Sequence, residues 1–547
     1  MSYLIILAFV GLIITSVAKR IHFSPELICV IVMGAVSFIP WVPDLEIDGD
    51  VVLEIILPPL LFSAARNLSG YKFAKLRTPI LYLGVGMIFI TALVVAWFTT
   101  LIAGFMTFTS GLILGAVVAP PDAVSSVSIG KKMHLPDKIM TILTGESLIN
   151  DAASLTLFSF AVGIVYHQNN FISHPVLLFV WTCGIGIVIG VVGGFITLLV
   201  RKVLKEPNLI AVFTLLMPFA VYTWCEDIHG SGVLAVVAAG FVVERSSFTA
   251  THATRLQEQS LWRSVETLLD AFVFSFVGLQ LRFIINSLQA SELDTWWTIG
   301  VGLLVLLVVL IIRPIMVLGY NAVRLIIYKV SFKSVNKFDF NVSDKSTKRF
   351  KNRLENAPMS WREFTILSWT GMRGVVTLAA ASSIPMKLSE QATVVPTSSE
   401  FKIHIFVQVV GLIVALGTLL IQGTTLPFLI KKILPPEIRD KDNLEGEWGK
   451  ARKLMEQSAL KVIENEAETD PDNFDKEHFE EVWKQLDTNQ IGKNKRDISF
   501  VSQLLQEIVE TQREDMQQAA IDGNVHPDVA KEYLDRLDHR IASFTTH

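Results

Sequence analysis

The chain has 547 residues, of which 51% are hydrophobic and 18% are charged, whereas a typical soluble domain has about 25% charged residues. The net charge of −4 is divided unevenly: residues 435–547 carry 26 acidic and 15 basic residues, and the first 434 carry a net charge of +7. This composition is typical of a polytopic membrane protein with a separate soluble segment, and it argues against a nucleic-acid-binding protein.

Repeated apolar runs predict thirteen transmembrane spans, which we number in chain order. Their approximate limits are 3–18, 24–41, 51–66, 79–103, 109–128, 137–166, 175–200, 207–226, 230–245, 262–285, 296–328, 360–383 and 402–432. Lysines and arginines cluster in the loops that follow odd-numbered spans, most densely in residues 329–353. Because basic loops mark the cytoplasmic side, we predict an outside N-terminus and a cytoplasmic C-terminus in a cell membrane.

Two spans contain sequences that interrupt a helix. Span 5 carries Ala119-Pro120-Pro121-Asp122, where adjacent prolines remove two backbone donors, and span 12 carries Gly371-Met372-Arg373-Gly374, which permits unwinding. These two spans are seven apart, so they run in opposite directions. We therefore predict that spans 1–6 form one repeat and spans 8–13 an inverted second repeat, each with one interrupted helix. Paired interrupted helices of this kind are typical of transporters.

The remaining segment, residues 435–547, is acidic and has apolar residues at helical spacing. We predict a transmembrane domain over 1–434 and a helical cytosolic C-terminal domain over 435–547. Two roles stay open for the tail: a stability or assembly domain, and a regulatory domain that binds a ligand or a protein.

Span 6 contains two carboxylates, Glu146 and Asp151, within one and a half helical turns. A carboxylate inside a membrane is costly, so Glu146 and Asp151 are expected to be paired, hydrated or functional. Ser147 and Asp151 are four residues apart on a helix and share a face, as do Glu146 and Asn150. We predict that Asp151, Ser147 and carbonyls of the unwound span 5 bind Na⁺. A desolvated aspartate also takes up a proton readily, so one carboxylate can hold either ion.

Arg373 in span 12 needs a partner, because a lone buried guanidinium is unfavourable. We predict an ion pair between Glu146 and Arg373 that leaves Asp151 to titrate; direct cation or proton handling by Arg373 is the alternative. Asp122, beside the break in span 5, either offsets the positive helix N-termini or ligates the ion. Pro121 can contribute only its backbone carbonyl.

Other polar residues inside spans carry weaker signals. Glu54, Asp270 and Arg313 are predicted to line interfaces or to extend toward the membrane surface. Gly186, Gly190 and Gly194 in span 7 are spaced for close helix packing.

The residues favour a secondary cation/proton antiporter over three alternatives. A cation channel would need a continuous pore with carbonyl or charged rings. An intramembrane aspartyl protease using Asp122 and Asp151 would not require Ser147 or Arg373. The sequence contains no phosphate-binding loop, which argues against an ATP-driven pump. We therefore predict no enzymatic activity and no cofactor.

The segments GESLINDAASL, APPDAV and GMRGVVTLAAA together resemble the sodium/proton antiporters of the NhaP/NHE type, in the cation:proton antiporter superfamily. The resemblance spans roughly residues 1–434. It implies thirteen spans in two inverted repeats, a homodimer, and a core domain that moves like an elevator to exchange Na⁺, or K⁺ or Li⁺, for H⁺ in pH homeostasis.

The resemblance also implies roles for individual residues. Asp151 corresponds to the ion-binding aspartate, with Ser147 and Asn150 beside it, and Glu146 and Arg373 correspond to a structural pair. Asn150 stands where electrogenic relatives have a second aspartate, which suggests electroneutral exchange.

Two positions depart from the family pattern. Pro121-Asp122-Ala123 replaces Thr-Asp-Pro at the span-5 break, and Ser63 follows Leu61-Phe62 in span 3 where many relatives have an acidic residue. The second change removes one peripheral carboxylate.

Overall fold

In this computed structural model, the regular secondary structure of the described residues is entirely helical. The structure describes residues 2–20, 25–40, 42, 52–68, 70–133, 135–165, 175–204, 206–244, 252–335, 359–374, 377, 380–381, 399–434, 445–469, 495–521, 525, 529–530, 532–534 and 536–537.

Helices lie at the positions of the predicted spans. Spans 1 to 6 contain Ser2–Arg20, Pro25–Ser37, Leu57–Asn67 after a π-helical turn at Val52–Ile56, Gly70–Leu81 and Met87–Ile102 joined by a π-helical turn at Tyr82–Gly86, Phe108–Val118 with Ala123–Lys132, and Asp137–Val165. Spans 7 to 13 contain Pro175–Val203, Pro207–Asp227, Gly232–Glu244, His252–Ala290, Thr295–Val335, Trp361–Trp369 and Ser399–Ile433.

Seven of the described helices are long and apolar enough to cross a membrane: Phe73–Ile102, Lys138–Val165, Val176–Val203, Pro207–Asp227, Thr254–Ala290, Thr295–Ile326 and Phe401–Ile433. Shorter apolar helices occur at Ile6–Ala18, Leu27–Ser37, Phe108–Val118 and Gly232–Glu244. The prediction of an all-helical polytopic membrane protein is confirmed, and the count of thirteen spans and the inverted repeats stay predictions.

The helix of span 5 is interrupted between Val118 and Ala123, around the two prolines. The helix of span 12 ends at Trp369, and residues 370–374 are non-helical. The helix before the break, which we call the first half of the span, begins with a capping box in both spans. Thr107 and Ser110 form it in span 5, and Ser360 and Glu363 form it in span 12. Because each first half has a defined start and an early end, each presents unsatisfied carbonyls at its C-terminus.

The chain forms two compact units. One comprises Met1–Arg245 and Glu258–Asp440, and the other comprises Ser246–Gln257 and Lys441–His547. In the second unit the helices Glu445–Thr469 and Lys495–Ile521 pack through a small apolar core, and the Gln512 amide donates to the Met455 carbonyl at 2.8 Å. The role of this unit stays a prediction.

Spans 7 and 9 pack closely through the three predicted glycines. A Cβ atom on Gly186 would lie 2.7 Å from the Ser231 carbonyl oxygen, and one on Gly194 would lie 2.6 Å from the Val242 Cβ. A Cβ on Gly190 would overlap the Ala235 carbonyl oxygen. The glycines therefore set the distance between these two helices.

We predict that Gly190→Ala lowers the free energy of unfolding by about 1–3 kcal/mol, because the methyl group has no room against the span-9 backbone. Gly184→Ala is the matched control, since no atom lies within 4 Å of a Cβ at that position of the same helix. Thermal unfolding in detergent micelles measures both variants. Equal melting temperatures for the two would contradict this packing.

Candidate functional site: the contact between two interrupted helices

Span 6 holds the interrupted part of span 5 through two buried side chains. The Asn150 amide donates to the Pro121 carbonyl at 3.0 Å, and the Ser154 hydroxyl donates to the Ala116 carbonyl at 2.8 Å. Asn150 and Ser154 are four residues apart, so they project from one face of the helix. The break is thereby fixed in register with the turn that carries Asp151.

The two breaks contact each other through backbone groups. The Asp122 N–H donates to the Met372 carbonyl at 2.6 Å, and the Ser126 hydroxyl donates to the Thr370 carbonyl at 3.3 Å. On the other side, the Arg373 N–H donates to the Thr418 hydroxyl of span 13 at 2.9 Å. Polar backbone at membrane depth is thus satisfied by the opposing break and its neighbours.

Arg373 is fully buried and binds backbone carbonyls. Its guanidinium donates to the carbonyls of Val118 at 3.1 Å and Ala119 at 3.2 Å, and also to that of Gly371. Val118 and Ala119 end the first half of span 5, where unsatisfied carbonyls place partial negative charge. The Arg373 cation therefore neutralises the C-terminal end of that half-helix.

The predicted pair between Glu146 and Arg373 is wrong, because Glu146 pairs with Arg313. Two nitrogens of Arg313 lie 2.5 and 3.0 Å from the two Glu146 oxygens, a bidentate arrangement between side chains that are 2% exposed. The three hydrogen bonds described above for the Arg373 guanidinium all go to backbone carbonyls. Arg313 also donates from Nε to the Leu367 carbonyl at 2.9 Å, near the end of the first half of span 12.

Arg313 is 1% exposed and lies at an interface between helices, which agrees with one of its two predicted places and rules out extension to the membrane surface. Its pairing with Glu146 is the contact that the sequence does not predict. The sequence does contain a signal that Arg313 is buried. This residue occupies the middle of the 32-residue apolar stretch Thr295–Ile326, too far from either end for its side chain to reach water.

Two glycines of span 12 make room for charged side chains. A Cβ on Gly371 would lie 2.5 Å from Cδ of Arg313 and 3.1 Å from Nη1 of Arg373, so this residue sits between the two guanidinium groups. A Cβ on Gly374 would overlap the Asp122 carboxylate. These positions tolerate no side chain without moving an arginine or an aspartate.

Asp151 differs from Glu146 in its surroundings. Its side chain is only half-buried, and no hydrogen bond or ion pair to it is present among the described residues. Asp122 is its electrostatic neighbour, and Ser147, also half-buried, lies one turn before it. The Oδ1 of Asn150 is buried without a hydrogen-bond partner in the described part of the chain.

The site therefore combines charges that are held in hydrogen-bonded contacts with two half-buried carboxylates, Asp122 and Asp151. Span 5 brings Pro121 and Asp122 to the same turn of span 6 that carries Asn150 and Asp151. Oxygen atoms of these groups are the ligand type that small hard cations prefer. Binding of Na⁺ at Asp151 and Ser147 stays a prediction.

We predict that Glu146 couples more strongly to Arg313, to which it is hydrogen-bonded, than to Arg373, which is an electrostatic neighbour only. Glu146→Leu or Arg313→Met alone should lower the free energy of unfolding by about 3–5 kcal/mol, because each leaves a buried charge unpaired. The double variant should recover much of that loss, since both charges are removed.

Thermal unfolding in detergent of the single and double variants measures this coupling. The matched cycle pairs Glu146→Leu with Arg373→Met, whose effects should be closer to additive. A larger coupling for Glu146 with Arg373 than with Arg313 would overturn the observed pairing.

The residues of this site lie in the part of the chain that is similar to known proteins. Residues 4–432 match the family model described as sodium/hydrogen exchanger, transmembrane. The chain is 27% identical to the Na⁺/H⁺ antiporter ApNhaP of Aphanothece halophytica, covering 77% of this chain and 71% of that protein. It is 28% identical to the low-affinity Na⁺/H⁺ antiporter NhaS1 of Synechocystis sp., covering 79% of this chain and 74% of that protein.

The fold also matches a solved structure. The sodium proton antiporter MjNhaP1 from Methanocaldococcus jannaschii superposes with a TM-score of 0.59 at 17% identity, covering 79% of this chain and 98% of that chain. The resemblance drawn from the three sequence motifs is confirmed. Because the family model spans most of its length, the chain belongs to the sodium/hydrogen exchanger family.

Proposed function

We propose that this protein exchanges a monovalent cation for a proton across the membrane, with Asp151 as the group that holds each in turn. Membership of the sodium/hydrogen exchanger family and similarity to proteins named Na⁺/H⁺ antiporters support exchange of Na⁺ for H⁺. The observation that carries the assignment of Asp151 is its half-buried carboxylate beside the contacting breaks, where Glu146 and both arginines are already satisfied.

The ligand set that we propose contains oxygen atoms only. The Asp151 carboxylate and the Ser147 hydroxyl lie one helical turn apart and face the same way. The Pro121 carbonyl accepts one hydrogen bond from Asn150 and keeps a second lone pair for a cation. Asn150 then acts chiefly by holding that carbonyl in place, and its own buried Oδ1 is the fourth oxygen of the set.

Exchange follows from competition at one carboxylate. Na⁺ and H⁺ each neutralise Asp151, and neither binds well while the other is present. The empty carboxylate is penalised inside the membrane, so the site changes the side it faces mainly when it is occupied. Because the site changes sides mainly when it is occupied, alternating access couples the movement of a cation in one direction to the movement of a proton in the other.

The surrounding charges support electroneutral exchange. Glu146 is held by Arg313, and Arg373 is held by helix carbonyls, so both groups have fixed partners while Asp151 binds either ion. Asp122 lies against the Gly374 backbone, just before the second half of span 5. One carboxylate that carries one cation or one proton gives a one-for-one stoichiometry.

We also propose that the protein lies in the cell membrane as a multi-pass homodimer with an outside N-terminus and a cytoplasmic C-terminus. The second compact unit is then cytoplasmic and suited to regulation or assembly.

We predict that Asp151→Asn abolishes cation-dependent proton movement, because an amide can neither take up the proton nor balance the cation. Purified protein in sealed proteoliposomes with an internal pH dye, challenged with Na⁺, K⁺ or Li⁺, measures this exchange. Glu54→Gln is the matched control, since Glu54 is an exposed carboxylate in span 3. Retained exchange by a folded Asp151→Asn protein would remove Asp151 from the mechanism.

We also predict that the exchange of the unmodified protein does not respond to a clamped membrane potential, because no net charge moves in a one-for-one cycle. The same vesicles, with K⁺ and valinomycin setting the potential, give the rate at several voltages. A voltage-dependent rate would keep the antiporter and reject the stoichiometry. Activity with K⁺ or Li⁺ in place of Na⁺ would name the transported cations.

A further inference from the structure

The turn of span 6 that carries Asp151 has a back face, which packs against span 4. With about 3.6 residues per helical turn, Ser147 and Asp151 share one face of span 6, and Gly145 and Ile149 share the opposite face. Contacts on the second face therefore decide how far the first face projects.

Two isoleucine–glycine contacts join this back face to span 4. A Cβ on Gly145 would lie 2.7 Å from Cδ1 of Ile80, and one on Gly84 would lie 2.9 Å from Cγ2 of Ile149 and 3.3 Å from the Glu146 carbonyl oxygen. Each helix thus supplies one isoleucine and one glycine. Because packed interiors have little free volume, these two contacts set the distance between the helices.

The part of span 4 at this contact is the π-helical turn Tyr82–Gly86, which contains Gly84. Single π-helical turns within α-helices occur frequently at functional sites. Directly after the turn, Sδ of Met87 lies 3.9 Å from Nη1 of Arg313, the arginine that pairs with Glu146. This segment of span 4 therefore contacts both span 6 and the cation that binds span 6.

The other buried contacts of this turn leave the Asp151 face uncovered. Glu146 binds Arg313, and Asn150 donates to the Pro121 carbonyl. Asp151 itself is half-buried. Span 4 is thus the support that lies behind the proposed ligands, while the break in span 5 lies beside them.

We infer that the two isoleucine–glycine contacts with span 4 determine the cation affinity of the exchanger, because they fix the position of Ser147 and Asp151 relative to the break in span 5. This inference rests on the proposed function, since it assumes cation binding at Asp151. The four residues of these contacts are positioning residues, and none of their side chains supplies a ligand atom. A cation needs several oxygens at set distances, whereas a proton needs one oxygen, so misplacement of the turn weakens cation binding far more than proton binding.

The experiment adds a methyl group at one contact and then removes the atoms that it meets. In proteoliposomes at several pH values, Gly145→Ala should raise the apparent KM for Na⁺, K⁺ or Li⁺, whichever the unmodified protein exchanges, roughly tenfold, because a site must be held to within about 0.5 Å. The factor should be the same at each pH, since proton binding to Asp151 is unchanged. Adding Ile80→Ala removes Cδ1, Cγ1 and Cγ2, the three atoms nearest that methyl group, and should return the apparent KM to that of the unmodified protein.

The matched control compares two glycines of the same π-helical turn. Gly84→Ala should raise the apparent KM, whereas Gly86→Ala should leave it unchanged, because a Cβ there would meet only Cδ2 of Tyr82 at 4.0 Å. Melting temperatures in detergent measure the packing cost of each variant. A role in stability alone would lower the melting temperature and the maximal rate and leave the apparent KM unchanged.

The outcomes separate the inference from the proposed function. An unchanged KM for folded Gly145→Ala, a raised KM that Ile80→Ala does not restore, or a KM factor that varies with pH would overturn the inference while exchange at Asp151 stands. If Gly145→Ala does not fold, the comparison of Gly84→Ala with Gly86→Ala decides by itself. Absence of exchange in the unmodified protein would overturn the proposed function instead.

Discussion

The structure depends on one constraint: a helix that stops inside a membrane leaves carbonyls and N–H groups that no water can satisfy. Two such ends meet where spans 5 and 12 are interrupted. Arg373 binds the last carbonyls of the first half of span 5, and Arg313 binds a carbonyl near the end of the first half of span 12. The two arginines thus act on equivalent ends of the two interrupted helices. A site built from broken helices is stable here because each negative end has a dedicated cation.

The same constraint explains why the charges around Asp151 differ in role. Glu146 balances Arg313, so the arginine that binds a helix end also has a carboxylate partner in span 6. Asn150 and Ser154 tie span 6 to span 5 through carbonyls of the broken segment. What is left at this turn of span 6 is Asp151, half-buried and close to Asp122. In the proposed exchange, stability and ion binding therefore belong to different side chains within two helical turns.

Much of this arrangement is predictable from the sequence, because its causes are local. Adjacent prolines and a Gly-x-x-Gly segment predict the breaks, and glycines four residues apart predict the packing of span 7. The partner of a buried arginine is not local: backbone carbonyls are partners that no residue type reveals, so the sequence could not distinguish a carboxylate from a helix end for Arg373. The partner of Arg313 is not predictable for a related reason, since membership of an apolar run says nothing about which neighbour the side chain contacts. The hydrogen bond between Ser63 and Glu266 likewise joins residues 203 positions apart.

The carbonyl contacts of Arg373 have a consequence for how related sequences can diverge. A side-chain pair such as Glu146 and Arg313 can be exchanged or lost together, so its two positions should change in concert among homologues. Backbone carbonyls are present whatever the side chain, so no substitution in span 5 can compensate for loss of the cation at position 373. That position should therefore accept only residues that keep a positive charge.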